Sequence, residues 1–317
     1  MNAGRSNETG SSAMLIPVLI GIFAALVVGG LIIAQFSDSA FPVQASAESE
    51  QIDQLFKIML GIGGGLFLFV EGLLLYSIVR FRARPGDESD GPSVHGNVTL
   101  EMVWTAIPSV VVLALVIYSY QVWTDIQEPK ADELTVEAVG ARFAWTFNYY
   151  EPRLDCESDL VAPDLDCENR NVNPNISSPV LHTYAGRPVE MQMETNDVIH
   201  SFWVPAMRVK QDLLPGRRTT VRFTPVEPGE YRVVCTELGG SGRRDMFASI
   251  IVHEDEDAYL DTFIDPAVDR VVNPPEDPAL VGAQLLSSGA YPCSGCHLLD
   301  DPDAGIDWAG ITGPPLN

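Results

Sequence analysis

The sequence predicts a membrane-anchored all-β protein: transmembrane helices, then a Greek-key β-sandwich, then a small α-helical segment. Three observations predict it. Apolar runs at about 14–36, 55–79 and 103–123 each reach the roughly 20 residues that cross a bilayer as a helix. Eight short segments from LTVEAVG (134–140) to MFASIIVH (246–253) alternate apolar and polar residues, as half-buried strands do. A proline-bearing stretch then leads to a helix-like run and the sequence Cys293-Ser294-Gly295-Cys296-His297.

The elements follow in order. Residues 1–50 form an N-terminal hydrophobic segment with two readings. FPVQASAES offers small residues at a cleavage-like spacing, so it reads as a signal peptide; its apolar run is long for one, so it also reads as a retained helix. Residues 51–125 form a two-helix hairpin. Arg80, Arg82 and Arg84 follow its first helix, and the positive-inside rule puts that loop in the cytoplasm. Everything after about 124 is then extracytoplasmic, on a multi-pass cell-membrane protein. Glu71 falls inside this hairpin and Glu101 at the start of its second helix. A carboxylate at membrane depth is costly and points to function, whereas a carboxylate at a helix N-terminus is also favoured by the dipole.

Residues 126–255 carry the strands, separated by the turn signals AGRP, LPGR, EPGE and GGSG; regular spacing of this kind predicts a sandwich. An insertion at 151–178 holds Cys156 and Cys167 around an acidic, Pro- and Asn-rich loop with no histidine. Outside the cell a disulfide is the favoured reading, with two free thiols as the alternative. Residues 256–278 form an acidic, proline-rich linker with a short helix, and 279–317 a small separate unit. The formal net charge is −24, with the excess mostly after residue 124. Such a surface repels nucleic acid and favours a basic partner.

C-x-x-C-H attaches c-type haem. Cys293 and Cys296, about one helical turn apart, reach the two vinyl groups, and His297 supplies an axial ligand. A chance dithiol or half of a zinc site is the alternative; a zinc site wants a second ligand pair, and none follows. No Met or His follows His297. The spacing therefore implies a sixth position that is open or filled from elsewhere, or further chain.

The loop YRVVCTELGGSGRRDMFASIIV (231–252) joins the last two strands of the sandwich. Cupredoxin-type copper sites lie in such a place, with one histidine from an earlier strand. Copper takes thiolate and imidazole, with thioether as a weak axial donor. His200, Cys235 and Met246 supply one of each. A mononuclear site would need a second histidine. The other sandwich histidines are His182 and His253, and His253 falls at the far end of the last strand, facing solvent.

Residues 50–253 resemble subunit II of the haem-copper cytochrome oxidases. HGNVTLEMVWTAIP, ARFAWTFNYY, DVIHSFWVPAMRVKQDLLPGR and YRVVCTELGG with the following RRDM carry the likeness. The appended C-x-x-C-H resembles the caa3 type, in which subunit II bears its own cytochrome c domain. The resemblance implies a cupredoxin-like sandwich and a dinuclear copper loop written C-x-E-x-C-G-x-x-H-x-x-M. His200, Cys235, Glu237 (by its backbone carbonyl) and Met246 match. Gly239 stands where the second cysteine belongs and Arg243 where the loop histidine belongs. One bridging thiolate is missing, so the expectation is haem c without a working dinuclear copper centre. Glu101 matches the carboxylate at the mouth of a proton path into subunit I, and Asp212 an acidic position near the subunit I interface. Phe143 stands where the family carries its electron-accepting tryptophan, with Trp145 at the second aromatic position.

The function this implies is electron transfer in a respiratory chain. The chain would be subunit II of a terminal oxidase that couples cytochrome c oxidation to oxygen reduction, with catalysis in subunit I. Its partners would be subunit I, other oxidase subunits, and cytochrome c or another redox donor. The alternatives are a copper-less structural subunit of a divergent quinol oxidase or nitric oxide reductase, and a decayed paralogue.

Overall fold

A computed structural model describes residues 9–82, 96–152, 175–238 and 246–273, together with Gly86, Asp277, Gly282, 299–301 and 306–308. Cys156, Cys167, Gly239, Arg243 and the Cys293–His297 motif lie outside the described residues. The chain divides into two units, one of 1–41 with 51–123, the other of 42–50 with 124–317.

The first unit is helical: α1 (Thr9–Gln35), α2 (Ser37–Ala40), α3 (Ala47–Arg80) and α4 (Val98–Gln127). Three of its helices are long and apolar enough to cross a membrane. At 1.5 Å per residue α3 runs about 50 Å, more than the ~30 Å hydrocarbon core. The start of α4 is capped reciprocally: Asn97 Oδ1 accepts from the Leu100 N–H at 3.1 Å, and Glu101 Oε1 accepts from the Asn97 N–H at 3.2 Å. Both orphan donors are satisfied by side chains four or fewer residues away. Pro108 lies inside the continuous α4, and the Thr105 and Ser109 hydroxyls on either side donate back to carbonyls one turn earlier.

The second unit is a sandwich of two five-stranded sheets. One runs β3-β2-β1-β5-β8 and the other β4-β10-β9-β6-β7. The strands are β1 (Leu134–Ala141), β2 (Ala144–Tyr150), β3 (Asn175–Ser178), β4 (Leu181–Tyr184) and β5 (Val189–Thr195). They continue with β6 (His200–Val204), β7 (Val209–Leu213), β8 (Thr219–Phe223), β9 (Gly229–Cys235) and β10 (Phe247–His253). β1 pairs β5 and β4 pairs β10 in parallel; the other pairs are antiparallel. Alternation places one face of each strand inward: in β5, Val189, Met191 and Met193 are fully buried while Glu190, Gln192 and Glu194 are not. Two strands exceed the eight expected, β3 and β7; β3 takes the last residues of the expected insertion and pairs them on β2.

Residues 42–50, which the sequence groups with the N-terminal segment, are built into this unit. The Ala45 N–H donates to the Ala206 carbonyl, the Val226 N–H to the Ala45 carbonyl, and the Ala47 N–H to the Thr224 carbonyl, each at 2.9 Å. The Ser46 hydroxyl donates to the Met207 carbonyl at 2.9 Å. Glu48, only 6% exposed, pairs with the Lys130 ammonium and accepts from the Thr224 N–H at 2.8 Å. Removing one partner of a buried, hydrogen-bonded ion pair leaves the other uncompensated. Glu48→Ala is therefore expected to destabilise the sandwich by about 2–3 kcal/mol, measured as a shift of the denaturant midpoint at unchanged slope.

The acidic segment after β10 is packed rather than extended. Asp255 caps α5 (Glu256–Tyr259), a π-helical turn covers Leu260–Ile264, and α6 runs Asp265–Val272. Tyr259, Phe263, Ile264, Ala267 and Val268 are all buried against the sandwich core. A short antiparallel pair, β11 (Leu299–Asp301) with β12 (Ile306–Trp308), follows.

Candidate metal centre

The sandwich brings three of the expected ligands to one end of one sheet. His200 opens β6 and is fully buried. Cys235 closes β9, 8% exposed, and the Cys235 N–H donates to the carbonyl of the fully buried Met246 at 3.3 Å. Residues opposed across an antiparallel pair project to the same face, so Met246 and Cys235 share theirs. The His200 Nδ1 lies 3.9 Å from the Cys235 Sγ. His200 reaches this position because Gly140 has no side chain: a Cβ there would lie 3.2 Å from both the His200 and Trp145 rings.

The imidazole is fixed from its other side. Asp197 Oδ1 lies 2.9 Å from His200 Nε2. Asp197 also accepts from the backbone N–H of Val198 at 2.6 Å and of Arg142 at 2.8 Å. Partial burial works against the Asp197 carboxylate, but these bonds, that of His200 first, hold it well below the ordinary range. An imidazole ligand oriented by a carboxylate on its outer nitrogen is the usual arrangement of metal-binding histidines. Burial pushes the Cys235 thiol up; the His200 imidazole and the neighbouring backbone N–H groups outweigh it and bring it below its usual value. Asp197 is the functional residue that sequence reading missed. Its signal was the i, i+3 spacing in Asp197-Val198-Ile199-His200.

The aromatic positions differ from a surface electron-accepting site. Trp145 is 2% exposed and packs edge-on against His200 at 6.0 Å and Phe202 at 5.5 Å, while Phe143 is half-buried against the core. Asp212 accepts from the Ser201 hydroxyl at 2.6 Å, and Thr236 Oγ1 donates to the same hydroxyl at 3.0 Å, next to Cys235. Glu237 is half-buried, and Leu238 beside it is 92% exposed. Glu101 sits apart, in the first turn of α4. His253, expected to face solvent, is half-buried, with its Nε2 3.2 Å from His182 Nδ1. Both lie at the opposite end of β10 from Met246, so neither completes the His200–Cys235–Met246 set.

One imidazole, one thiolate and one thioether are soft donors suited to copper. A thiolate-bridged pair of ions needs a second thiolate and a second imidazole. Positions 239 and 243 hold Gly and Arg, which offer neither. The donor set does not fit a dinuclear centre.

Comparison with known proteins bears on both units. Residues 33–122 match the family "Cytochrome C oxidase subunit II, transmembrane domain", and residues 134–254 match "Cytochrome C oxidase subunit II, periplasmic domain". Cytochrome c oxidase subunit 2 of a Synechocystis species is 36% identical over 68% of this chain and 73% of its own length. The same subunit of Thermostichus vulcanus is 33% identical over 68% of this chain and 75% of its own length. The crystal structure of the periplasmic domain of subunit II of cytochrome oxidase from Bradyrhizobium japonicum aligns at 24% identity. That alignment covers 45% of this chain and 98% of the other, with a TM-score of 0.34.

Proposed function

Because this chain belongs to the cytochrome c oxidase subunit II family, we propose that it is the electron-transfer subunit of a haem-copper oxidase that works without the family's dinuclear copper relay. The observation that carries the reading is the pair Gly239 and Arg243 at two ligand positions of an otherwise retained site. His200, Cys235 and Met246 keep their places; the second bridge and the second imidazole are absent. Subunit I is the catalytic partner, and cytochrome c or another redox protein is the donor on the extracytoplasmic side.

The C-terminal segment carries the side chains that would hold a redox group. Cys293 and Cys296 would supply thiols for covalent attachment of a haem, and His297 an imidazole ligand. The bound group would contribute one-electron chemistry. The chain's own part is to tether that segment to a membrane-anchored sandwich through the packed helices that follow β10. The C-x-x-C-H motif favours this reading over a quinol-oxidising subunit, which has no need of it. Glu101 would serve a proton path into subunit I; its carboxylate caps the first turn of α4.

The test is the full-length subunit purified from membranes. The denatured protein is expected to keep a c-type haem spectrum that survives acid extraction. Cys296→Ala should weaken covalent retention, and His297→Ala should abolish cytochrome c oxidation by the complex. A subunit with no covalent haem, in a complex that still oxidises cytochrome c at full rate, would refute the proposal.

A further inference from the structure

Helix α1 lies almost wholly ahead of the residues that match the family's transmembrane domain, and the cleavage-like FPVQASAES at 41–49 lets it be read as a leader to be removed. The structure contains two separate sets of contacts that removal would destroy. One is a glycine seam between α1 and α3. A Cβ added at Gly30 of α1 would lie 2.4 Å from the Gly61 carbonyl oxygen of α3, and one at Gly65 would lie 3.3 Å from the Leu26 carbonyl oxygen. A Cβ at Gly29 would meet Leu68 at 2.6 Å, and one at Gly64 would meet Ile33 at 2.9 Å. Gly61 and Gly65 are four residues apart, as are Gly30 and Ala34. In lipid there is no hydrophobic force between helices, so association relies on close backbone approach, which small residues at this spacing permit. An apolar leader has no need of glycines that answer those of a later helix. The turn that follows α1 is also held: Asp38 pairs with Lys57, and Phe41 packs edge-on against Phe56 at 5.0 Å.

The second set lies within the sandwich unit. Small residues at Ala45 and Ala47 frame the cleavage-like site. Ala45 is fully buried and Ser46 is 2% exposed, and their backbone and hydroxyl groups bond Ala206, Val226 and Met207. Cutting after Ala47 would remove Ala45 and Ser46 from the sandwich and place a new α-ammonium at the buried Glu48. It would also leave the glycine groove of α3 bare.

We infer that α1 is retained in the mature protein as a third membrane span, seated on α3 by the Gly30–Gly61–Gly65 seam. The inference stands independently of the electron path. The test is intact mass and N-terminal sequencing of the wild-type subunit from membranes, paired with oxidative cross-linking of an Ala34→Cys, Gly61→Cys variant. A Cβ at Gly61 would lie 3.5 Å from that of Ala34, within disulfide reach. The expected result is a chain that begins ahead of Thr9, and a linked peptide pair joining positions 34 and 61. A mature N-terminus anywhere after Thr9 overturns retention. A retained α1 that does not cross-link overturns the seam.

Discussion

Gly239→Cys combined with Arg243→His is expected to give a subunit that binds a pair of copper ions, on the proposal that the wild type holds none. Each single variant should restore little, because a bridged pair needs both thiolates and an imidazole on each side. The expectation rests on how much of the site is intact. The outer nitrogen of His200 is held by Asp197, so its inner nitrogen is free to face Cys235. Met246 is buried beside Cys235, just ahead of the adjoining strand. Donors so fixed by their surroundings hold a metal better than donors that must be ordered on binding. Copper analysis and visible absorption of the copper-loaded double variant check this. Asp197→Ala in the same background should lower copper affinity by about 10–100-fold.

Acidification is expected to loosen the end of the sandwich that carries the C-terminal helices. Burial, and then the nearby His253, push the His182 imidazole from 6.5 down to about 4; His253 is also lowered by burial. A group whose folded value is depressed stabilises the fold fully above its unfolded value. That stability is lost as pH falls from about 6.5 to about 4. For His182 alone the loss is on the order of 3 kcal/mol. His182 stacks on Phe263 at 4.0 Å, its backbone bonds the Tyr149 hydroxyl, and His253 contacts Thr262 Oγ1 on its other nitrogen. Tyr184, Tyr259, Arg187 and Glu256 lie nearby. Denaturant unfolding between pH 7 and pH 4 should therefore show falling stability. His182→Phe, which keeps the stack on Phe263, should flatten that slope.

The strands were legible wherever burial is one-sided. Val189, Met191 and Met193 alternate with polar residues, and β5 forms where that pattern lies. β3 was not legible, because Asn175-Ile176-Ser177-Ser178 has one apolar residue and becomes a strand only by pairing with β2. The inclusion of residues 42–50 was hidden for a related reason. Small residues such as Ala45 and Ser46 carry no pattern of their own, and their burial depends on partners about 160 residues away. Three residues of the candidate site were readable, since His200, Cys235 and Met246 were singled out in the sequence and the fold brings them together. Its orienting carboxylate was not, because Asp197 looks like an ordinary turn residue until His200 is placed. The pairing of His182 with His253 follows from the parallel register of β4 and β10, which no local sequence feature reveals.

Whether the copper pair is absent is decided by copper per chain in the purified wild-type complex, taken with near-infrared absorption and electron paramagnetic resonance of the oxidised form. No copper assignable to this subunit as a pair is expected, and no mixed-valence band or hyperfine pattern. A near-infrared band with the hyperfine pattern of an electron shared between two coppers would contradict it.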